Sequence, residues 1–453
     1  MKKLSNTRAY CELLPNICQV TIYVTLPHCS LTRDWGDESP ALCTLEVTQA
    51  RDQILISSEG QKQLLRLPAR LSLASLRMSP VILERANKQS HGTSKQEDLL
   101  FRFPVNEIDR DMQPPGVRIP WSAKEMSPET RIRCRFCGNM LLAAEGANEI
   151  EWKDLPSANW AELMDMWHCH KPDPVATEEN SIESPNRVDI LAHSISADAK
   201  GYGMSNQTVC QLNTVFVDVM NFYLSNANSI GVENAFLSAD IPRPTYASQA
   251  GQPEARVQLR CTSCRRIVGE GQPSIHGVAL SKSDSSIAML DGSDDKKLMP
   301  GEVCSVDEII SAQLLEQIER TGARRYIIHP DDGKPTNSGL LIWVFNPNLR
   351  YSYLGKKVTA HDRNGADGLI VVEAQQAIKV FYRSISDIST LLNPEIGVAS
   401  LTSLEELPLP PHIYEEIKQV LIARNGLLPD CAKIFKEWEV SLLHISGNCS
   451  LPK

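Results

Sequence analysis

Two short stretches decide how the middle of this sequence folds: residues 133–138 read RCRFCG, and residues 260–266 read RCTSCRR. Each contains Cys-x-x-Cys, a spacing that lets one tight turn direct two sulfur atoms at the same point. A short strand pattern enters each pair, and an apolar strand pattern leaves it. Zinc prefers four such ligands in a tetrahedron, at about 2.3 Å. The sequence therefore predicts one structural zinc ion bound by Cys134, Cys137, Cys261 and Cys264.

The alternatives for these cysteines are coincidental thiols or redox-active dithiols. A redox-active pair is usually followed by a helix, and neither stretch is followed by a helical pattern. A zinc ion with four cysteine ligands has no open coordination position, so its expected role is structural and not catalytic. The long segment between the two stretches means that the ion would join distant parts of the chain.

The overall charge argues against nucleic acid as a direct partner. The 453 residues carry 46 Lys and Arg against 55 Asp and Glu, which gives a formal net charge of −9. Such a chain lacks the general basic field that binds phosphate backbones. Six arginines gather at the two cysteine stretches, and we interpret them as a solvated rim; a zinc-ribbon nucleic-acid binder is the disfavoured alternative. They are Arg131, Arg133, Arg135, Arg260, Arg265 and Arg266.

Neither membrane insertion nor export is expected. The longest purely apolar run, residues 340–345, is too short to cross a bilayer. The basic residues near the start are not followed by the apolar region of a secretory signal. The thirteen cysteines are therefore expected to stay reduced, in the cytosol or the nucleus.

The hydrophobic pattern predicts an α+β protein in three parts. Period-two alternation at residues 17–24 and in later stretches predicts a β-rich N-terminal region, residues 1–130. Residues 131–280 would form a zinc-knuckle region that also contains a Trp-His-Cys-His segment and a polar insertion. Residues 302–446 would form an α+β block of strands flanked by helices, preceded by a polar loop at 281–301.

Local signals are clearest in the last block. Ser305 begins a capping box ahead of a helix, and Gly322 is placed to end that helix. Two further helices are predicted from apolar residues spaced by about one turn, and Cys431 would be buried within the second of these patterns. The spaced residues are Ile413, Ile417 and Leu421 in one pattern, and Ile434, Trp438 and Leu442 in the other.

The Trp-His-Cys-His segment, residues 167–170, is a candidate partner-binding site. A helix beginning near Ser157 would end at this segment, and the prolines that follow would stiffen the exit. Flanking histidines can keep a thiol polarised, so Cys169 could ligate a metal that belongs to another protein. The alternative is a helix-end loop with a partly buried thiol. The four residues are Trp167, His168, Cys169 and His170.

Three cysteines of the last third are candidate nucleophiles: Cys304, Cys431 and Cys449. Cys304 directly precedes a helix start, where the helix dipole favours a thiolate. No histidine is adjacent to it in sequence, and Cys449 lies in a polar tail. The catalytic residue therefore stays unassigned at this point.

The motifs, taken in order, resemble the HECT-like E2-binding protein family. The matching features are the two cysteine pairs and four further stretches. These stretches are LPSANWAEL at 155–163, WHCH at 167–170, LIWVFNPNLRYS at 341–352 and KVFY at 379–382.

The resemblance implies an E3 ubiquitin-protein ligase that accepts ubiquitin from a ubiquitin-conjugating enzyme (E2) and also modifies itself. It implies a cytosolic and nuclear location. It also implies a link to pre-messenger-RNA 3′-end processing, in which the segment around Cys169 blocks the processing endonuclease with its cysteine on the active-site zinc.

The mechanism of transfer stays open between two alternatives. Established HECT ligases keep a catalytic cysteine in a Thr-Cys loop near the C-terminus, and nothing in this sequence matches that loop. Transfer could therefore pass through a cysteine thioester, or the chain could act as a scaffold for the E2. A competing hypothesis of another class is a non-enzymatic, zinc-stabilised protein that inhibits a metal-dependent endonuclease.

Overall fold

The computed structural model describes most of the chain, with gaps. The described residues are 8–27, 43–58, 61–77, 79, 81–83, 96–105, 119–146, 149–155, 210–234, 257–272, 277–289, 301–331, 337–354, 363–364, 370–392 and 404–445. Their contacts group into two compact units, one of residues 1–118 with 306–450 and one of residues 119–305 with 451–453. Within the described residues, no helix combines the length and the apolar composition needed to cross a membrane.

The N-terminal part of the first unit consists mainly of strands. Alternating apolar residues, such as Val20, Ile22 and Val24, are fully buried on one face. The elements are β1 (Arg8–Leu14), β2 (Gln19–Pro27), β3 (Cys43–Val47), β4 (Gln53–Ser58), β5 (Gln61–Arg66), α1 (Leu73–Arg77), β6 (Val81–Leu83) and β7 (Gln96–Pro104).

The second unit is built from short strands that are mainly antiparallel. Its larger sheet has the order β12-β13-β14-β15-β11-β10-β9, and β8 pairs separately with β16. The strands are β8 (Thr130–Cys134), β9 (Glu151–Asp154), β10 (Thr214–Val217), β11 (Asn221–Ser225), β12 (Val232–Asn234), β13 (Val257–Cys261), β14 (Ile267–Gln272), β15 (Gly277–Ser281) and β16 (Ser285–Met289).

The C-terminal part of the first unit combines strands with two longer helices. Its elements are α2 (Val306–Thr321), β17 (Arg325–Pro330), β18 (Gly339–Leu354), β19 (Arg363–Asn364), β20 (Ile370–Val372), β21 (Gln375–Ile385), α3 (Ile388–Leu392), β22 (Leu404–Leu409), α4 (Pro411–Asn425), β23 (Ile434–Phe435) and β24 (Trp438–His444).

The long strand β18 lies at the centre of the main sheet of the first unit, where it pairs with β21, β1 and β17. The strand order is β23-β24-β21-β18-β1-β2-β7, and β17 pairs with the other end of β18 and with β22. Strand β1 reaches β18 through antiparallel pairs such as Ala9 with Leu354. Strands from the predicted N-terminal region and from the predicted C-terminal block therefore share one sheet.

Helices α2 and α4 cover one face of this sheet. Ile413, Ile417 and Leu421 of α4 are buried, and the Ser441 hydroxyl of β24 donates a hydrogen bond to the Leu421 carbonyl over 2.8 Å. Gly322 ends α2 in the left-handed region with φ of 71°, and its N–H donates to the Ile318 carbonyl. The α+β, strand-rich class is thus confirmed, as are the start and end of α2.

Two details of the C-terminal prediction are wrong. Ile434, Trp438 and Leu442 lie in the β23–β24 hairpin and not in a helix. A spacing of four residues is close to one helical turn, but it is also two strand repeats, so the pattern fits both structures. Cys431 consequently lies in an exposed 3-10 turn, Asp430–Ala432, and not in a buried helical position.

Candidate metal centre

The two Cys-x-x-Cys stretches form hairpin turns with the same hydrogen bonds. In the first, the Cys134 N–H donates to the Asn139 carbonyl, and the Gly138 N–H donates to the Cys134 carbonyl. In the second, the Cys261 N–H donates to the Arg266 carbonyl, and the Arg265 N–H donates to the Cys261 carbonyl. The strands β8 and β13 enter the turns, as the sequence predicts.

Each turn closes through a residue in the left-handed region. Gly138 has φ of 72° and the corresponding Arg265 has φ of 62°. Glycine adopts this backbone without cost, whereas a residue with a Cβ atom pays about 1–2 kcal/mol. An ion pair between Arg265 and Glu233 of β12 accompanies the strained position.

The turns bring the four sulfur atoms together. The Sγ atoms of Cys134 and Cys264 are 3.6 Å apart, as are those of Cys137 and Cys261. All four ligand atoms lie within 4.8 Å of one another. A tetrahedron with metal–sulfur bonds of about 2.3 Å has edges of about 3.8 Å, so the cluster has the size that zinc requires.

The environment of the thiols differs between the ligands. Burial raises the pKa of Cys134 to about 12. For Cys137, burial acts in the same direction, but hydrogen bonds from the Asn139 backbone and from neighbouring side chains outweigh it and lower the pKa to about 7. A bound zinc ion would deprotonate its ligands outright. The donor set fits zinc, which would hold the two hairpins together without any open position for catalysis.

Asn139 connects the two turns outside the sulfur cluster. Its Nδ2 atom lies 3.5 Å from the Cys261 sulfur and 3.2 Å from the Gly231 carbonyl. A side chain at residue 231 would be blocked, because a Cβ atom there would lie 2.3 Å from the Met140 carbonyl. Such contacts around metal ligands orient them and tune metal affinity.

Several of the nearby arginines have partners within the protein. Arg266 lies over the Phe136 ring, 3.9 Å from its centroid, and so connects the second turn to the first. Arg135 donates a hydrogen bond to the Ser283 carbonyl over 2.8 Å. Through these contacts, one arginine connects the two turns to each other, and another connects the first turn to the segment before β16.

The other predicted site residues do not lie at this cluster. Cys304 is fully buried, and Cys431 is exposed. Cys449 and the segment Trp167, His168, Cys169 and His170 lie outside the described residues, as does the predicted helix before that segment.

Sequence reasoning missed three contributors to this unit. Asn139 and Gly231 act through contacts between segments, which no local pattern encodes. Strand β16 lies within residues 281–301, which the sequence predicts as a polar loop. It was missed because its burial depends on pairing with β8. The sequence offers only one partial signal, the glycine at position 231.

The comparisons with known proteins bear on the whole chain. The model of a family described as HECT-like ubiquitin-conjugating enzyme (E2)-binding matches residues 12–440. The chain belongs to this family. The match includes both cysteine turns and almost all of the main sheet. Residues of both units therefore belong to the part of the chain that matches the HECT-like E2-binding family. No solved structure matches the chain.

Curated relatives match most of this chain, but at low sequence identity. An uncharacterised protein of Schizosaccharomyces pombe is 23% identical over 338 residues, which cover 72% of this chain and 77% of the relative. An uncharacterised protein of Saccharomyces cerevisiae is 21% identical over 324 residues, 71% of each chain. A Bos taurus protein named as an E3 ubiquitin-protein ligase is 21% identical over 322 residues, 68% of this chain and 71% of the relative.

Replacing Asn139 should weaken zinc binding. In Asn139→Ala, the Cys261 sulfur and the Gly231 carbonyl lose a shared donor. Loss of contacts of this kind typically lowers metal affinity by roughly 10–100-fold. Competition with a chromophoric chelator would measure the change, and Asn234→Ala, at the exposed end of β12, is the matched control. Equal affinities for wild type and Asn139→Ala would contradict this role.

Proposed function

We propose that this chain is an E3 ubiquitin-protein ligase that binds a charged E2 and promotes ubiquitin transfer to substrates and to itself. The supporting observation is the family match over residues 12–440, since that family is described as E2-binding. The name of the Bos taurus relative points in the same direction. Zinc at the four-cysteine cluster would be the resident metal and would have a structural role. The cytosol and the nucleus are the proposed locations.

The accessibility of the candidate cysteines bears on the mechanism. A thioester-forming cysteine has to reach the E2-bound ubiquitin, and the Cys304 side chain has 0% exposure. Cys431 is exposed in the turn Asp430–Ala432. Among the candidates in the described part of the chain, Cys431 is therefore the one open to an incoming thioester, and scaffolding of the E2 is the alternative.

Ubiquitin discharge from a panel of loaded E2 enzymes tests this proposal. We expect the wild-type chain to accelerate discharge from at least one E2, and Cys304→Ser to leave the rate unchanged. A reducible ubiquitin adduct that is absent in Cys431→Ser or Cys449→Ser would identify the nucleophile. Discharge without any adduct would indicate scaffolding. If the chain accelerates discharge from no E2, the ligase function is wrong.

The second candidate function concerns Cys169. The sequence observation that favours it is a tryptophan, two histidines and a cysteine followed by Pro172 and Pro174. We propose that this segment inhibits the metal-dependent endonuclease of pre-messenger-RNA 3′-end processing, with the thiolate as a soft zinc ligand. Cys169→Ala should then weaken inhibition while the zinc content of the chain stays unchanged. Inhibition at wild-type strength by Cys169→Ala would end the idea.

A further inference from the structure

The face of the main sheet opposite α2 and α4 presents a cluster of aromatic side chains. Ser441 of β24 pairs with Val380 of β21 and also bonds to α4, which places Val380 on the helix-covered face. Side chains alternate along a strand, so Phe381 lies on the opposite face, as does its cross-strand neighbour Trp343.

The rings of this cluster are in direct contact. Phe381 is stacked between two phenylalanines, with centroid distances of 4.7 Å to Phe345 and 5.2 Å to Phe435. Trp343 meets Phe381 edge-on at 5.3 Å and lies 6.2 Å from Trp438. We call these five residues the aromatic patch.

The outer rings of the aromatic patch are open to solvent. Phe345 is 51% exposed and Phe435 is 47% exposed, whereas Phe381 between them is 5% exposed. Large contiguous apolar patches are rarely exposed on soluble proteins, and they mark interaction sites. Aromatic residues are also enriched at the centres of protein interfaces.

Both exposed phenylalanines lie at irregular backbone positions, one in a β-bulge and the other beside a strained turn. Phe345 is the extra residue of a β-bulge, since Val344 pairs with Val380 and Asn346 pairs with Lys379. Bulges re-aim side chains and are frequent beside functional sites. Phe435 precedes the β23–β24 turn, where Lys436 has φ of 56°. A non-glycine residue in this region costs about 1–2 kcal/mol, and such strain is common at functional sites.

Three cations border the rings. The Arg383 guanidinium is 4.9 Å from the Trp438 centroid, Arg325 is 5.6 Å from Trp343, and the Lys436 ammonium is 5.7 Å from Phe435. A partner that covers this surface would therefore present apolar side chains with carboxylates around them.

We propose that the aromatic patch is the surface on which the E2 docks, through an apolar segment of the E2 bordered by acidic residues. The proposal rests on the proposed ligase function and deepens it by assigning the binding surface. One observation selects this occupant: the family model whose matched residues include the patch is described as E2-binding. The cationic border then sets the charge that the docking segment of the E2 must carry.

The test measures binding of the full chain to the E2 that it discharges, by titration calorimetry at two salt concentrations. Phe345→Ser and Phe435→Ser should each weaken binding by at least about tenfold, as expected for aromatic residues at an interface centre. Ile422→Ser is the matched control, because Ile422 of α4 is also 51% exposed but lies outside the patch. It should bind as wild type does.

A second variant separates binding from folding. In Lys436→Gly the strained backbone relaxes and the cation is removed, so the chain should be at least as stable as wild type yet bind the E2 more weakly. The salt dependence of binding should also decrease, because one charge has been taken from the interface.

Two results would overturn the docking surface while leaving the ligase proposal intact. One is equal E2 affinity for wild type, Phe345→Ser and Phe435→Ser. The other is self-association of the chain that both variants abolish while E2 affinity stays unchanged, which would make a second copy the occupant. If no E2 binds the wild-type chain, the proposed function itself fails, and the docking surface with it.

Discussion

Replacing Cys134 or Cys261 with serine should remove zinc from the chain and unfold the unit of residues 119–305. Structural zinc sites in small peptides contribute apparent binding free energies of about 10–16 kcal/mol. That range matches or exceeds the total stability of about 5–15 kcal/mol that is usual for a folded protein. Losing one ligand would also leave three thiols crowded within 4.8 Å without the cation that neutralises them.

Metal analysis of the purified chain tests this expectation. Wild type should contain one zinc per molecule, and Cys18→Ser, which changes an exposed cysteine outside the cluster, should retain it. Because zinc binds thiolates, protons compete with it, so affinity should fall as pH is lowered. Well-folded wild-type protein that contains no zinc would contradict the metal centre.

Removing the buried ammonium of Lys282 should destabilise the same unit by about 2–4 kcal/mol. The Lys282 side chain is fully buried, and its Nζ atom donates to the Pro120 and Asp218 carbonyls over 2.6 and 2.5 Å. It also lies over the Phe222 ring at 5.1 Å. In Lys282→Ala both carbonyls lose this buried donor and a cavity forms. Hydrogen exchange at amides of β11 and β15 would measure the change.

The pH dependence of stability provides an independent test of Lys282. Burial lowers the pKa of this ammonium from 10.5 to about 8, against the opposing effect of Asp218. Between about pH 8 and 10.5 the unfolded chain therefore binds more protons than the folded chain, and the Lys282 contribution makes the unit more stable as pH rises. Below pH 8 both states are protonated, and this contribution is constant.

Lys282→Met keeps most of the volume and removes the titrating group. The unfolding free energy of wild type minus that of Lys282→Met should therefore increase as pH rises from about 8 to 10.5. A difference that does not depend on pH in this window would contradict the lowered pKa of the Lys282 ammonium.

The sequence predicted the features that local spacing encodes. The cysteine turns were predictable because two residues between thiols are sufficient to define a metal knuckle, and helix α2 was predictable from its capping box and from Gly322. The features that were missed depend on distant partners. Strand β24 fits a helical spacing in isolation, and only its pairing with β21 selects the extended form.

Buried polar groups and exposed aromatic residues were missed for the same reason. Lys282 is an ordinary lysine in the sequence, and only the fold encloses it between the Pro120 and Asp218 carbonyls. Phe345 ends the apolar run at residues 340–345, and Phe435 lies in a stretch whose spacing predicts a helix, so neither pattern indicates an exposed aromatic cluster. Their exposure follows from a bulge and from a strained turn, and neither can be inferred from hydrophobicity alone.

The pairing of β1 with β18 has a consequence for biosynthesis. Ala9 leaves the ribosome before its partner Leu354, which follows on the order of 20 to 70 s later at roughly 5–20 residues per second. Until then the edge of β1 that pairs with β18 has no partner in the hairpin of β1 and β2. Unpaired edges promote aggregation. The nascent chain should therefore depend on chaperones until β18 has been translated, and truncation before β18 should yield insoluble protein.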